Sequence, residues 1–224
     1  MYLNRLIRYG IPLSIMLLGV WECMPDKRQH TEVVKPAYDS LSVFRMDSFL
    51  GLAKSGDLIF RSGNDETSHA ARQMSRIDTS FSHCGIVIKE NSQAYVFHSI
   101  GGADNPSGRL LKQPIDQFCN LSQNNSFAIY RLSSRLKVEA AIKSVVNQYY
   151  IQGLTFDLYY NLRTDHAMYC SEFVAKSLNS AYRLSGFESV FLDVSGLGVT
   201  VDDIFLNPAC YLIKKEVFSI HTKK

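Results

Sequence analysis

The sequence predicts an α+β fold, an antiparallel sheet packed against helices, and three observations carry that expectation. Strand-like and helix-like stretches come in runs and not in strict alternation, which disfavours a doubly wound parallel sheet. Two short apolar runs, 84–88 and 94–98, flank the turn residues Glu90-Asn91-Ser92 and read as a hairpin. Two longer stretches, 136–150 and 170–182, repeat apolar residues at helical spacing.

A chain of 224 residues with 46% hydrophobic and 20% charged residues is expected to form one globular domain with a sizeable core. Its formal charge of +3 is small and dispersed, and no basic stripe interleaved with aromatics suggests nucleic acid as a partner. At the N-terminus, Arg5 and Arg8 precede an apolar run over 11–20 containing Leu13, Ile15, Met16, Leu17 and Leu18, before polarity returns at Glu22. That is the charged and then apolar layout of a secretory signal, well short of the roughly 20 apolar residues of a spanning helix. Residues 1–23 therefore read as an export signal, and the protein as periplasmic or cell-envelope. Cys23 offers a lipid anchor to the membrane, although Gly19-Val20-Trp21-Glu22 departs from the small residues of a Leu-Ala-Gly-Cys pattern. Residues 24–40, with Pro25 and Pro36, read as a linker, and 41–224 as the folded domain.

Within the domain, Phe44, Met46, Phe49, Leu50 and Leu52 give a helix over 43–53 that stops at Lys54-Ser55-Gly56. A strand follows at 57–61, with Gly56 supplying a turn and Asp57 capping backbone donors. A short helix at 67–75 carries His69. After the hairpin, the loop 101–108 is rich in glycine but carries no phosphate-cradling motif, so it is a site rim or a plain connection. The stretch 110–118, interrupted by Pro114, stays open between strand and helix. A strand is expected at 127–131 and another at 211–213. Between them lie the helix with Val138, Ala141, Ile142, Val145, Val146 and Tyr149 on one side and the helix with Phe173, Val174, Leu178 and Ala181 on one face.

Chemistry gathers at the start of that last helix. Cys170 falls in its first turn, where free N–H groups and the dipole favour an anion and lower a thiol's pKa. Glu172 suits the same dipole but opposes the effect on the thiol if it points inward. Taken alone, such a cysteine reads first as a small buried helix residue, so its standing depends on a base. The five cysteines, Cys23, Cys84, Cys119, Cys170 and Cys210, show no Cys-x-x-Cys spacing, and there is no His-Glu-x-x-His motif. Neither a metal nor another cofactor is expected. His83 stands where a polar stretch turns into an apolar strand, and His98 ends the neighbouring strand. In a hairpin the start of one strand lies beside the end of the next, which brings the two histidines together.

Gly56-Asp57-Leu58-Ile59-Phe60-Arg61, Phe81-Ser82-His83-Cys84-Gly85-Ile86-Val87, Tyr95-Val96-Phe97-His98 and Tyr169-Cys170-Ser171-Glu172-Phe173-Val174 resemble the circularly permuted papain-like amidases, the YaeF/YiiX branch of the NlpC superfamily. The likeness extends over roughly residues 55–182, with the histidine strand before the cysteine helix. It implies a permuted papain-like core with Cys170 as nucleophile, His83 as general base and His98 as the polar orienter. In that branch the orienter is often a glutamate and the residue after the base a small aliphatic; here they are His98 and Cys84.

The expected function is an exported cysteine hydrolase. His83 deprotonates Cys170, the thiolate attacks an amide carbonyl, and water releases the acyl-enzyme. Cell-wall peptides are the substrate that the resemblance implies. The backbone N–H of Cys170 is the expected oxyanion donor, and Tyr169 a hydrogen-bond donor to substrate. Two alternatives stand beside it. One is a lipid acyltransferase or deacylase similar to the lecithin–retinol acyltransferases, which use a second histidine but resemble Asn-Cys-Glu-His-Phe at the nucleophile. The other is a binding module with an inert thiol.

Overall fold

The computed structural model describes residues 40–191 and 198–218. The export segment and, apart from Ser40, the linker expected from the sequence lie outside the described residues. Six antiparallel strands form one sheet: β1 (Leu58–Gly63), β2 (His83–Glu90), β3 (Gln93–His98), β4 (Leu111–Pro114), β5 (Asn124–Leu132) and β6 (Cys210–Val217), in the order β4-β3-β2-β1-β5-β6. Helices cover both faces, so the α+β class holds. The helices are α1 (Ser40–Gly51), α2 (Glu66–Gln73), α3 (Ile115–Phe118), α4 (Arg135–Ile151), α5 (Cys170–Leu184) and α6 (Val201–Phe205).

Strand alternation divides the core in two, because successive side chains point to opposite faces. Leu58 and Phe60 of β1, Cys84, Ile86 and Ile88 of β2 and Phe97 of β3 pack with the apolar sides of α4, α5 and α6. On the other face, Ile59, Val87, Val96, Phe127 and Ile129 pack with Met46 and Phe49 of α1 and Ile115 and Phe118 of α3. Fully burying a Phe or Ile side chain contributes roughly 1.5–3 kcal/mol. With Phe49, Phe60, Phe97, Phe118, Phe127 and Phe173 all fully buried, both faces are structural and neither is a solvated side.

The turn into β1 is built as its sequence suggests. Gly56 adopts φ +82, a left-handed conformation that costs a glycine little. Asp57 accepts the Lys54 N–H through Oδ2 at 2.8 Å and receives both arms of Arg131, Nε on Oδ1 and Nη2 on Oδ2, each at 2.7 Å. The carboxylate is fully buried, so deleting either partner would cost about 3–5 kcal/mol.

Two stretches depart from the sequence reading. Residues 110–118 resolve into β4 followed directly by α3, with Pro114 at the junction: its missing N–H suits an edge strand and its fixed φ of −51° suits a helix entry. The C-terminal strand runs over Cys210–Val217, well past 211–213, because the exposed Lys214 and Lys215 and the buried Glu216 of this edge strand leave no apolar pattern to mark it. Helix α6 was not expected; five residues are too few to show helical periodicity.

Candidate active site

The β2–β3 hairpin positions the two histidines. Its turn residues, Asn91 (φ 47) and Ser92 (φ 72), are both left-handed, as a two-residue hairpin turn of matching twist requires. The register pairs Ile86 with Phe97 and Arg61 with His83. His83 and His98 therefore share the face that carries Val87 and Val96, while Cys84 turns to the face covered by α5. Gly85 lies against His98 and its strand neighbours. A Cβ there would meet Val96 Cγ1 at 2.6 Å, the Phe97 carbonyl at 2.8 Å and His98 Cβ at 3.1 Å, so only glycine lets β3 bring His98 this close.

His83 Nε2 lies 2.9 Å from His98 Nδ1, and His98 Nε2 lies 3.0 Å from Gln113 Oε1 on β4. The amide oxygen can only accept, so His98 carries its proton on Nε2 and presents Nδ1 as an acceptor. His83 must then donate from Nε2, which leaves its Nδ1 unprotonated for Cys170. Both rings are buried, and the fully buried Phe118 packs against them with ring centroids 5.8 Å from His83 and 5.0 Å from His98. Burial holds His98 well below the usual histidine range, with the charges of His83 and Arg61 acting in the same direction. The charged form of His98 is thus disfavoured. Burial also lowers His83, partly offset by the charge and hydrogen bond of Cys170.

Cys170 is the first residue of α5, where the backbone N–H has no intrahelical acceptor. Ser99 Oγ donates to the Met168 carbonyl at 2.6 Å, tying the end of β3 to the segment that enters α5. The thiol is half-buried and close enough to Cys84 and His83 for both to act on its ionisation. Its pKa falls well below the ordinary thiol value: the Cys84 hydrogen bond is the largest cause, burial opposes it, and His83 adds charge and a hydrogen bond. Cys84 moves the opposite way, raised by burial and by the neighbouring sulfur. Burial raises Cys119 as well, and takes Cys210 up to about 12. Of the four free cysteines described, Cys170 alone is shifted toward the thiolate.

Neighbouring residues complete the surroundings. Glu172 is buried and turned back along its helix: Oε2 accepts the Tyr169 N–H at 3.3 Å, and Lys176 Nζ sits 2.9 Å from Oε1. Tyr169 is also buried, and its hydroxyl accepts the Val199 N–H at 2.7 Å, an anchoring use of the oxygen expected to serve substrate. The charge of Asp104, in the glycine-rich loop, acts on both His83 and Arg61. Three contributors had no role in the sequence reading. Gln113 sat in the stretch left open around Pro114; Cys84 read as a departure with no task; Arg61 read as part of a strand motif. Each acquires its neighbour through strand register, which one-dimensional spacing does not show.

The arrangement can activate a thiol, hold a base in one tautomer and present an N–H to a developing oxyanion. Comparison with known proteins agrees with the fold. The pattern of a family described as "permuted papain-like amidase enzyme, YaeF/YiiX, C92 family" matches residues 52–189. The uncharacterized protein YiiX of Escherichia coli (strain K12) is 25% identical over 134 residues, covering 60% of this chain and 61% of that protein; the chain thus spans less than two thirds of that relative's length. A solved structure described as metalloprotein yiiX from Escherichia coli O157:H7 matches with a TM-score of 0.57 at 19% identity, covering 73% of this chain and 98% of that one.

Proposed function

Because this chain belongs to the permuted papain-like amidases of the YaeF/YiiX family, we propose that it hydrolyses amide bonds through Cys170, His83 and His98. The observation that carries this reading is the hydrogen-bonded series Gln113–His98–His83 ending at a thiol whose pKa is driven down. His83 Nδ1 takes the Cys170 proton, and the thiolate attacks the carbonyl carbon. The developing oxyanion meets the Cys170 N–H at the helix N-terminus. His83, now imidazolium, returns the proton to the leaving amine, and water then attacks the thioester with His83 again as base. His98 needs no charge in this scheme. Held neutral, it accepts from His83 and is itself oriented by donating to Gln113, and so performs the task a carboxylate performs elsewhere.

The solved relative is described as a metalloprotein. Among the described residues of this chain, no three or more His, Cys, Asp or Glu side chains are gathered to hold a metal ion, so the donor set does not fit one and no step here runs through a metal. With the N-terminal run read as an export signal, peptide amides of the cell envelope are the substrates we put first. The second histidine also suits a lipid acyl transfer or deacylation reading. The product separates the two: a free amine from an amide, a fatty acid from an ester.

Incubating the protein with panels of peptide amides and acyl esters tests the proposal. Amine release is expected, with Cys170→Ala and His83→Ala each losing on the order of a thousandfold or more in kcat. Undiminished turnover in Cys170→Ala would sink the mechanism.

A further inference from the structure

Arg61 stands on β1 directly opposite His83, on the same face of the sheet. Its guanidinium lies 4.6 Å over the Phe118 ring, the ring that walls both histidines, and Nη1 donates to the Phe118 carbonyl at 3.1 Å. That stack and that bond fix the plane of the fork and leave its remaining N–H groups uncommitted. Among the described residues Arg61 has no carboxylate within ion-pair distance. Asp104, Asp65 and Cys170 reach it only as charges through space. The other arginines that meet the core or the chain's long-range ties are used differently: Arg131 is locked on Asp57, Arg45 on Glu216 and Arg135 on Glu139. A half-buried cation held rigid beside His83 and Phe118, with no carboxylate bonded to it among the described residues, lacks the partner its desolvation calls for.

We infer that Arg61 is a substrate-binding residue that receives a carboxylate carried close to the scissile bond. This rests on Cys170 being the attacking group, and it narrows the substrate class to amides of short or acidic peptides with a free carboxylate within about a residue's reach of the attacked carbonyl. A carboxylate fits better than a phosphate. One guanidinium balances a single negative charge, and Asp104 and Asp65 in the background oppose a second.

The test uses the folded, full-length protein and reads alkylation at Cys170 by mass spectrometry. Two acid and amide pairs of matched shape serve as probes: iodoacetate with iodoacetamide, and N-iodoacetylglycine with N-iodoacetylglycinamide. The acid-to-amide rate ratio at Cys170 is expected to exceed that of a free small thiol in at least one pair. In Arg61→Gln that ratio falls about tenfold while the amide rate barely changes, and Arg61→Lys restores part of it. Taking a ratio cancels any change in thiolate fraction. Equal losses with acid and amide would assign Arg61 to the thiolate's own field and overturn the inference, as would a wild-type ratio no higher than the free thiol's, which needs no variant to fold. Stronger protection by inorganic phosphate than by acetate at matched ionic strength would overturn the carboxylate assignment. A Cys170 inert to every probe would instead overturn the nucleophile reading, and this inference with it.

Discussion

The Cys84 thiol is the largest influence lowering the Cys170 pKa, and the Cys84 backbone N–H is a smaller one. A hydrogen bond to a charged acceptor is worth about 1.5–3 kcal/mol, enough to outweigh much of the burial that opposes ionisation. Cys84→Ala removes the thiol donor and keeps the backbone one. The thiolate is then less stabilised, so the Cys170 pKa moves up and the acid limb of its alkylation profile moves to higher pH. At pH 6 the alkylation rate is expected to drop about tenfold, while at pH 9 the two proteins converge. A profile that stays put in the variant would mean that Cys84 merely packs there. Cys170 and the two histidines were legible in the sequence because each marks an element boundary. Cys84 was visible only as an odd residue in a familiar position; its meaning lies in facing α5 from the opposite side of the strand to His83.

At the scale of elements, the hairpin sets the histidine geometry, and Gly85 sets how closely its strands approach. Gly85→Ala would thrust a methyl group against the Phe97 carbonyl, Val96 and the Cβ of His98. Two of these contacts are under 3.0 Å, one of them to backbone, so β3 has to shift. Overpacking of this kind costs about 1–3 kcal/mol. The expected result is a protein that still folds, with Tm lower by about 2–12 °C, and in which amide turnover falls by more than the stability loss explains, because the His83–His98 bond is stretched. Thermal denaturation together with kcat at a temperature well below Tm checks this; full turnover in a folded Gly85→Ala protein would show that His98 need not touch His83. The hairpin, α4 and α5 could be read from periodicity and turn residues. The junction of β4 and α3 could not, since a four-residue strand meets a four-residue helix at Pro114, and each is too short to display its period. Gln113 was lost with it.

Across the whole molecule, the site depends on ties between parts of the chain far apart in sequence, since the cysteine helix follows the histidine strand by about eighty residues. Ser99 and Met168 form one such tie. Asp202, at the start of α6, forms another and is almost fully buried. Its Oδ2 accepts the N–H groups of Arg76, Ile77 and Asp78 at 3.0, 2.7 and 3.2 Å, and Oδ1 takes the Thr200 hydroxyl at 2.5 Å. Burial alone would raise this carboxyl's pKa, but the hydroxyl and the three N–H groups outweigh it and the pKa is lowered. A carboxylate depressed on folding adds stability above its unfolded pKa of about 3.9. That contribution is lost as pH falls through the lower, folded value. Asp202→Ala should therefore cost about 3 kcal/mol at pH 7 and lower Tm by about 6–12 °C, with the gap to wild type narrowing only below about pH 4. Urea denaturation of both proteins from pH 7 to pH 3 measures it. A gap that stays constant into acid would mean that Asp202 holds the loop by shape and not as a charged acceptor, and that the chain's long-range closure rests on packing alone.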